Sequence, residues 1–110
     1  MSTPLVQLVF YVPVEHAETV KEAVFAAGGG RIGDYDRCCW QTIGTGQFRP
    51  LPGSEPFMGK TGNVEEAAEL RVELVVSEPA LRDVVAALLG AHPYETPAYS
   101  CWPINRLPLT

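Results

Sequence analysis

The stretch Ala68–Tyr99, AELRVELVVSEPALRDVVAALLGAHPYETPAY, decides how this chain folds. In its first nine residues Leu70, Val72, Leu74 and Val76 point one way and Glu69, Arg71 and Glu73 the other, the pattern of a half-buried strand. The period then lengthens. Leu81, Val84, Val85, Leu88 and Leu89 recur at i, i+3, i+4, i+7 and i+8, which predicts an amphipathic helix. Ser77 is placed to cap its start, and Pro79 suits the first turn because its missing N–H would be unpaired there anyway. Gly90 is expected to cap the far end, and His92-Pro93 to forbid continuation, since the residue before a proline avoids the helical region. A final strand is expected from about Ala98 to Ile104. Pro103 can donate no hydrogen bond within it, which places it on an edge or at its end.

Working back toward the N-terminus, the same order appears again. Leu5–Val12 is an almost continuous apolar run rich in β-branched and aromatic residues, the mark of a buried strand. Beyond Pro13, Ala17, Val20, Val24 and Ala27 recur at helical spacing, with Glu15, Glu18, Lys21 and Glu22 on the other face. Gly28-Gly29-Gly30 should end that helix, and Cys38–Ile43 (CCWQTI) is expected as the second strand. Strand–helix–strand, twice, predicts an α+β ferredoxin-like (βαββαβ) sandwich: a four-stranded antiparallel sheet with two helices on one face. All of residues 1–110 are expected to form a single domain. The face without helices inherits Trp40, Trp102, Tyr99 and Tyr11, more aromatic surface than one small core absorbs, so a subunit interface is expected there.

Composition narrows the function classes. The 110 residues are 46% hydrophobic and 19% charged, as in a globular domain. A net charge of −5 with scattered basic residues argues against a nucleic-acid partner, which draws on clustered Lys and Arg. The N-terminal apolar run is too short for a membrane span and lacks the basic flank of a signal peptide. Three cysteines without a framework fit a reducing compartment, so the expected location is cytoplasmic.

Several motifs look chemical, and most do not survive their context. GGGRIG (Gly28–Gly33) matches the dinucleotide-binding glycine pattern, but a helix precedes it and a strand follows, the reverse of what places a phosphate on a helix N-terminus. GSEPFMGKT has five residues between Gly53 and Gly59, where a phosphate-binding loop has four. Adjacent Cys38 and Cys39 on a strand would face opposite ways and could not chelate one metal; small apolar fillers are the simpler account of all three cysteines. His16 sits among charges and is expected to be solvated. AHPYETPAY holds His92, Tyr94 and Glu95 on a loop stiffened by two prolines. The trio is either a rigid turn or a site for a small polar ligand or a metal, with His92 and Glu95 as the candidate ligands.

The segment Gly46–Asn63, GQFRPLPGSEPFMGKTGN, has neither helical nor strand period. Pro52-Gly53 suits the centre of a type II turn, with Gln47–Arg49 and Pro56–Met58 pairing on either side as a short arm. Its two phenylalanines, Phe48 and Phe57, would be poorly covered alone, so the arm should fold over the sheet or reach a neighbouring subunit. Arg49 and Ser54 could also present donors to an anion.

HPYETPAY resembles the HPYE-type segment of CutA proteins, small trimeric ferredoxin-like domains linked to divalent-cation tolerance. Taken together, YVPVEHAETVKEAVFAAGGGRIGDYDRCCW, GTGQFRPLPGSEPFMG, LRVELVV and AHPYETPAY resemble the CutA-like domain inserted in the Nif-three-like family, often labelled GTP cyclohydrolase I type 2 homologues. The chain is read as that insert standing alone. The flanking halves, with their histidine and carboxylate ligands to a dinuclear metal site, have no counterpart here, so no family metal ligand and no hydrolase activity carries over. The resemblance implies the fold, an extended hairpin arm between the second and third strands, assembly as a homotrimer, and a regulatory or accessory role.

Three functions follow. The first is a non-enzymatic oligomeric domain that binds a small ligand or a protein partner through Arg49, Ser54, His92, Tyr94 and Glu95. The second is a copper- or zinc-binding protein of metal tolerance that uses His92 and Glu95, with Cys101 as a further donor. The third is an accessory subunit of a metal-dependent hydrolase. An enzyme in its own right ranks last, because spacing places no nucleophile–base pair. Only a cleft between subunits, gathering His92, Glu95 and Arg49 from different chains, would alter that ranking.

Overall fold

Leu5–Pro13 forms β1, whose apolar run is explained by its central place in the sheet. In this computed structural model, which describes residues 3–105, a short 3-10 turn leads from β1 into helix α1 (Ala17–Ala26). Then come β2 (Trp40–Phe48), β3 (Glu65–Ser77), a second 3-10 turn, α2 (Leu81–Ala91) and β4 (Tyr99–Ile104). The sheet order is β2-β3-β1-β4 with every neighbouring pair antiparallel. It is the ferredoxin-like α+β sandwich, and β4 with its Pro103 lies on an edge. Among the described residues no helix is long and apolar enough to cross a membrane.

The alternation in β3 sorts the two faces as expected. Val72, Leu74 and Val76 meet Leu8, Phe10 and Val12 of β1 and the helical residues Val20, Val24, Val84 and Leu88 in one core. Phe10 and Leu88 are 0% exposed. Each such side chain contributes about 1.5–3 kcal/mol by leaving water. The opposite face carries Tyr11, Glu69, Arg71, Glu73, Trp40 and Trp102, as the pairings Tyr11↔Arg71, Trp40↔Glu73 and Gln7↔Trp102 require. Tyr99 does not join them. It pairs with Phe10 and so lies on the helix side of the sheet.

The glycine run after α1 does what its position implies. Gly28, at φ +114°, donates to the Phe25 carbonyl, and Gly29 donates to that of Val24, which together close the helix in a Schellman motif. Gly30 (φ +76°) then donates to the Val75 carbonyl at 2.9 Å. That bond occupies the edge of β3 beyond Glu73, so β2 begins at Trp40 and not at Cys38. Cys38 and Cys39 therefore precede the strand, half-buried, and all three cysteines are free thiols.

Two helix-end expectations are corrected. The Ser77 side chain makes no capping bond, because the chain enters α2 through the 3-10 turn Glu78–Ala80 and the Glu78 N–H pairs with the Pro4 carbonyl. Gly90 lies inside α2, which runs on to Ala91. His92, in extended geometry before Pro93, ends the helix instead.

β2 and β3 outrun β1. Their ladder continues from Thr45↔Ala68 to Phe48↔Glu65, past the end of β1 at Pro13↔Glu69. Gln47 and Phe48 are thus paired with Glu66 and Glu65, not with the Pro56–Met58 segment. The connection from 49 to 64 makes a turn in which Gly53 has φ +95° and the Ser54 N–H donates to the Leu51 carbonyl at 3.1 Å, as Pro52-Gly53 predicted.

Candidate functional site

His92 leaves α2 buried, 6% exposed. Its Nδ1 accepts the Tyr94 N–H at 3.1 Å, so the proton sits on Nε2, which donates to the Tyr11 carbonyl at 2.7 Å. Burial lowers the His92 pKa and favours the neutral ring, outweighing the bond to Tyr11. Both nitrogens are spent on the backbone. His92 is the pin that holds the HPYETP loop against β1.

That pin aims Tyr94 across the end of the open face. The phenol donates to Glu69 Oε2 at 2.9 Å, and the ring stands 5.9 Å from that of Phe48 and 6.3 Å from that of Phe57. Burial, reinforced by the bond to Glu69, pushes the Tyr94 pKa far above its ordinary value, so the hydroxyl remains a donor at any physiological pH. Glu95 is exposed and accepts the Glu55 N–H at 3.0 Å, which ties the loop to the arm. On the arm, Phe57 meets the His16 ring edge-on at 5.3 Å. His16, expected to be solvated, is half-buried.

Arm, loop and sheet enclose a pocket of about 290 Å³. Tyr11, Gly46, Phe48 and Glu69 form its floor, Ser54 and Pro56 to Met58 one wall, and Tyr94 to Thr96 the other. Of the residues singled out in the sequence, Ser54, Tyr94 and Glu95 line this pocket; His92 supports it from behind, and Arg49 is exposed outside it. The Ser54 hydroxyl is spent on the Leu51 carbonyl at 2.6 Å. Among the described residues, no group of three or more His, Cys, Asp or Glu converges as a metal cage.

No protein-family model matches the chain. It is 49% identical over 101 residues to the GTP cyclohydrolase 1 type 2 homolog of Mycobacterium tuberculosis, covering 92% of this chain and 27% of that protein. To the homolog of Bacillus subtilis it is 40% identical over 105 residues, covering 96% and 28%. The crystal structure of a Bacillus cereus protein related to NIF3 superposes with a TM-score of 0.82 at 36% identity, over 96% of this chain and 27% of that one. The chain matches the NIF3-like, GTP cyclohydrolase 1 type 2 homologue family as a partial domain. It spans about a quarter of the length of the curated relatives it matches. The periplasmic divalent cation tolerance protein CutA of Archaeoglobus fulgidus shares the fold, with a TM-score of 0.64 at 17% identity, over 93% of this chain and 85% of that one. CutA1 of Pyrococcus horikoshii does likewise, at 0.66 and 16%, with the same coverage.

Sequence reading missed two members of the pocket in this NIF3-like domain. Glu69 looked like one of three solvated charged side chains, with Arg71 and Glu73, yet it receives the Tyr94 hydroxyl. Gly46 looked like part of a loop, yet it lies in β2, where any Cβ would collide with the Glu69 carboxylate. A signal was present: Gly44 and Gly46 alternate on one face of an edge strand, and glycines in a strand mark the close approach of another group.

Proposed function

We propose that this NIF3-like domain is a non-enzymatic accessory module that binds a small ligand under its arm and assembles with copies of itself through the open sheet face. The observation that carries the reading is convergence. HPYETPAY lies far along the chain from the neighbouring segments GQFRP and GSEPFMG, yet residues of all three line one pocket. The pairing of Glu95 with the Glu55 N–H and the tilted ring contact of Phe57 with Tyr94 would let an occupant's binding free energy stiffen the arm. Trp40 at 61% and Trp102 at 41% exposure give the open face the aromatic surface of a subunit interface. The homotrimer expected from the resemblance is the stoichiometry we assign, working in the cytoplasm. A screen of small molecules followed through backbone amide resonances tests the ligand: binders should move Gly46, Phe57 and Tyr94 together. A broad screen that moves none of them contradicts the reading.

A second reading, binding of copper or zinc, draws support from the fold shared with the divalent cation tolerance protein CutA. It requires His92 to surrender one of two backbone bonds. Calorimetric titration with each metal decides it, since heat abolished by His92→Ala would favour it and no heat would end it. A third, that the module serves a metal-dependent hydrolase, follows from the name of relatives of which the chain covers 27%. Retention of the module by the remainder of such a relative in a pull-down would support that role.

A further inference from the structure

The pocket has a lopsided chemistry. Its lining contains two carboxylates, Glu69 and Glu95, and four aromatic rings, Tyr11, Phe48, Phe57 and Tyr94, but no Lys, Arg or His. Glu69 is half-buried, receives one hydrogen bond, from Tyr94, and has no ion-pair partner among the described residues. A carboxylate offers about four acceptor positions, so most of its capacity stays open. An anionic occupant would meet repulsion, with the Ser54 hydroxyl already spent and Arg49 outside. A neutral apolar occupant would strip water from Glu69 and leave its charge unpaired. A hard divalent cation would find too few oxygens, since it takes six or more, and copper or zinc would find no imidazole or thiolate in the lining. An organic ammonium group meets every element present: a carboxylate to neutralise it and ring faces to hold it.

We propose that the pocket under the arm binds a small organic cation, its ammonium group held by Glu69 and its apolar body seated among Phe48, Phe57 and Tyr94. The bare backbone at Gly46 keeps the Glu69 carboxylate in place, because any side chain there would displace it. A volume of about 290 Å³ lies at the bottom of the range for ligand pockets, which limits the occupant to a single ring or a short branched chain. The inference rests on the ligand reading given above and adds the charge of the ligand.

Benzylammonium, benzyl alcohol and phenylacetate probe it, being similar in size and different in charge. Each is titrated into the ¹⁵N-labelled chain at neutral pH, with the amides of Gly46 and Tyr94 followed. Benzylammonium should bind saturably, and benzyl alcohol roughly ten- to a hundredfold more weakly, the range of one charge-assisted hydrogen bond. Glu69→Gln keeps an acceptor for the Tyr94 hydroxyl, and should lower ammonium affinity by that same factor without changing that of benzyl alcohol. Phe57→Leu, a half-exposed position, serves as the second variant and should weaken benzylammonium more than benzyl alcohol. Phenylacetate or benzyl alcohol binding as tightly as benzylammonium would overturn the cation and leave the ligand pocket standing. Silence of the pocket amides toward all three would overturn both, and an unchanged ammonium affinity in Glu69→Gln would overturn the role of Glu69.

Discussion

The two faces of one sheet are built from the same strands and behave differently. Under the helices, Leu8, Phe10, Val12, Val72, Leu74 and Val76 are all within 3% of complete burial. On the other side Trp40 and Trp102 remain largely open beside Arg71 and Glu73, while Val9, flanked by Glu73 and Ser100, is 1% exposed. The helix face is uniform in chemistry and has one task, to exclude water. The open face mixes ring, guanidinium and carboxylate: Arg71 donates to the Tyr11 hydroxyl at 3.2 Å and lies over its ring. The arm folds back over one end of this face, and the pocket lies there. Stability resides in one face, and the surface available for recognition in the other.

The largest effect that would sharpen this contrast is expected in the core. Phe10→Ala should cost about 3–5 kcal/mol in urea unfolding, since Phe10 is fully buried and a packed core fills the resulting cavity only in part. Gly30→Ala should cost about 2 kcal/mol by the same measurement. It forces a side chain onto a φ of +76° with its Cβ 2.7 Å from the Cys38 carbonyl oxygen. His92→Ala should cost about 1–3 kcal/mol, because the Tyr11 carbonyl and the Tyr94 N–H lose their partners. It should also change the pH dependence. Burial lowers the His92 pKa below 6.5, so the unfolded chain takes up a proton that the folded one refuses. Its contribution is therefore present above 6.5 and lost as the pH falls through the folded value, and the variant should lack that part of the decline. The smallest change in stability, within roughly 1 kcal/mol at low concentration, is expected for Trp40→Asp with Trp102→Asp. By light scattering, that double variant should instead abolish self-association. A core-sized loss from this pair, with unchanged mass, would break the comparison.

Much of this was legible in the chain. The period-two run Leu70–Val76 and the stripe Leu81–Leu89 gave β3 and α2 their type, because burial of one face is a periodic demand. Boundaries set by long-range bonds were not legible. β2 starts late because Gly30, ten residues earlier, occupies the edge of β3, and no local pattern encodes that contact. Gly90 was read as a cap because glycine so often is one, but the backbone at His92-Pro93 turns the chain without it. The loop trio was found through its residue types, and the role of His92 as a brace was not, since only the placement of Tyr11 shows where its Nε2 proton goes. Glu69 stayed hidden because a strand alternation that exposes three acidic and basic side chains gives no sign that one of them is covered by an arm.

The central claim is that the 49–64 segment closes over the sheet end and builds the pocket. Nuclear Overhauser contacts among aromatic protons test it most directly. The account predicts cross-peaks from the Phe57 ring to both His16 and Tyr94, whose centroids stand 5.3 Å and 6.3 Å away. Sharp, random-coil resonances for Phe57 with neither cross-peak would contradict it.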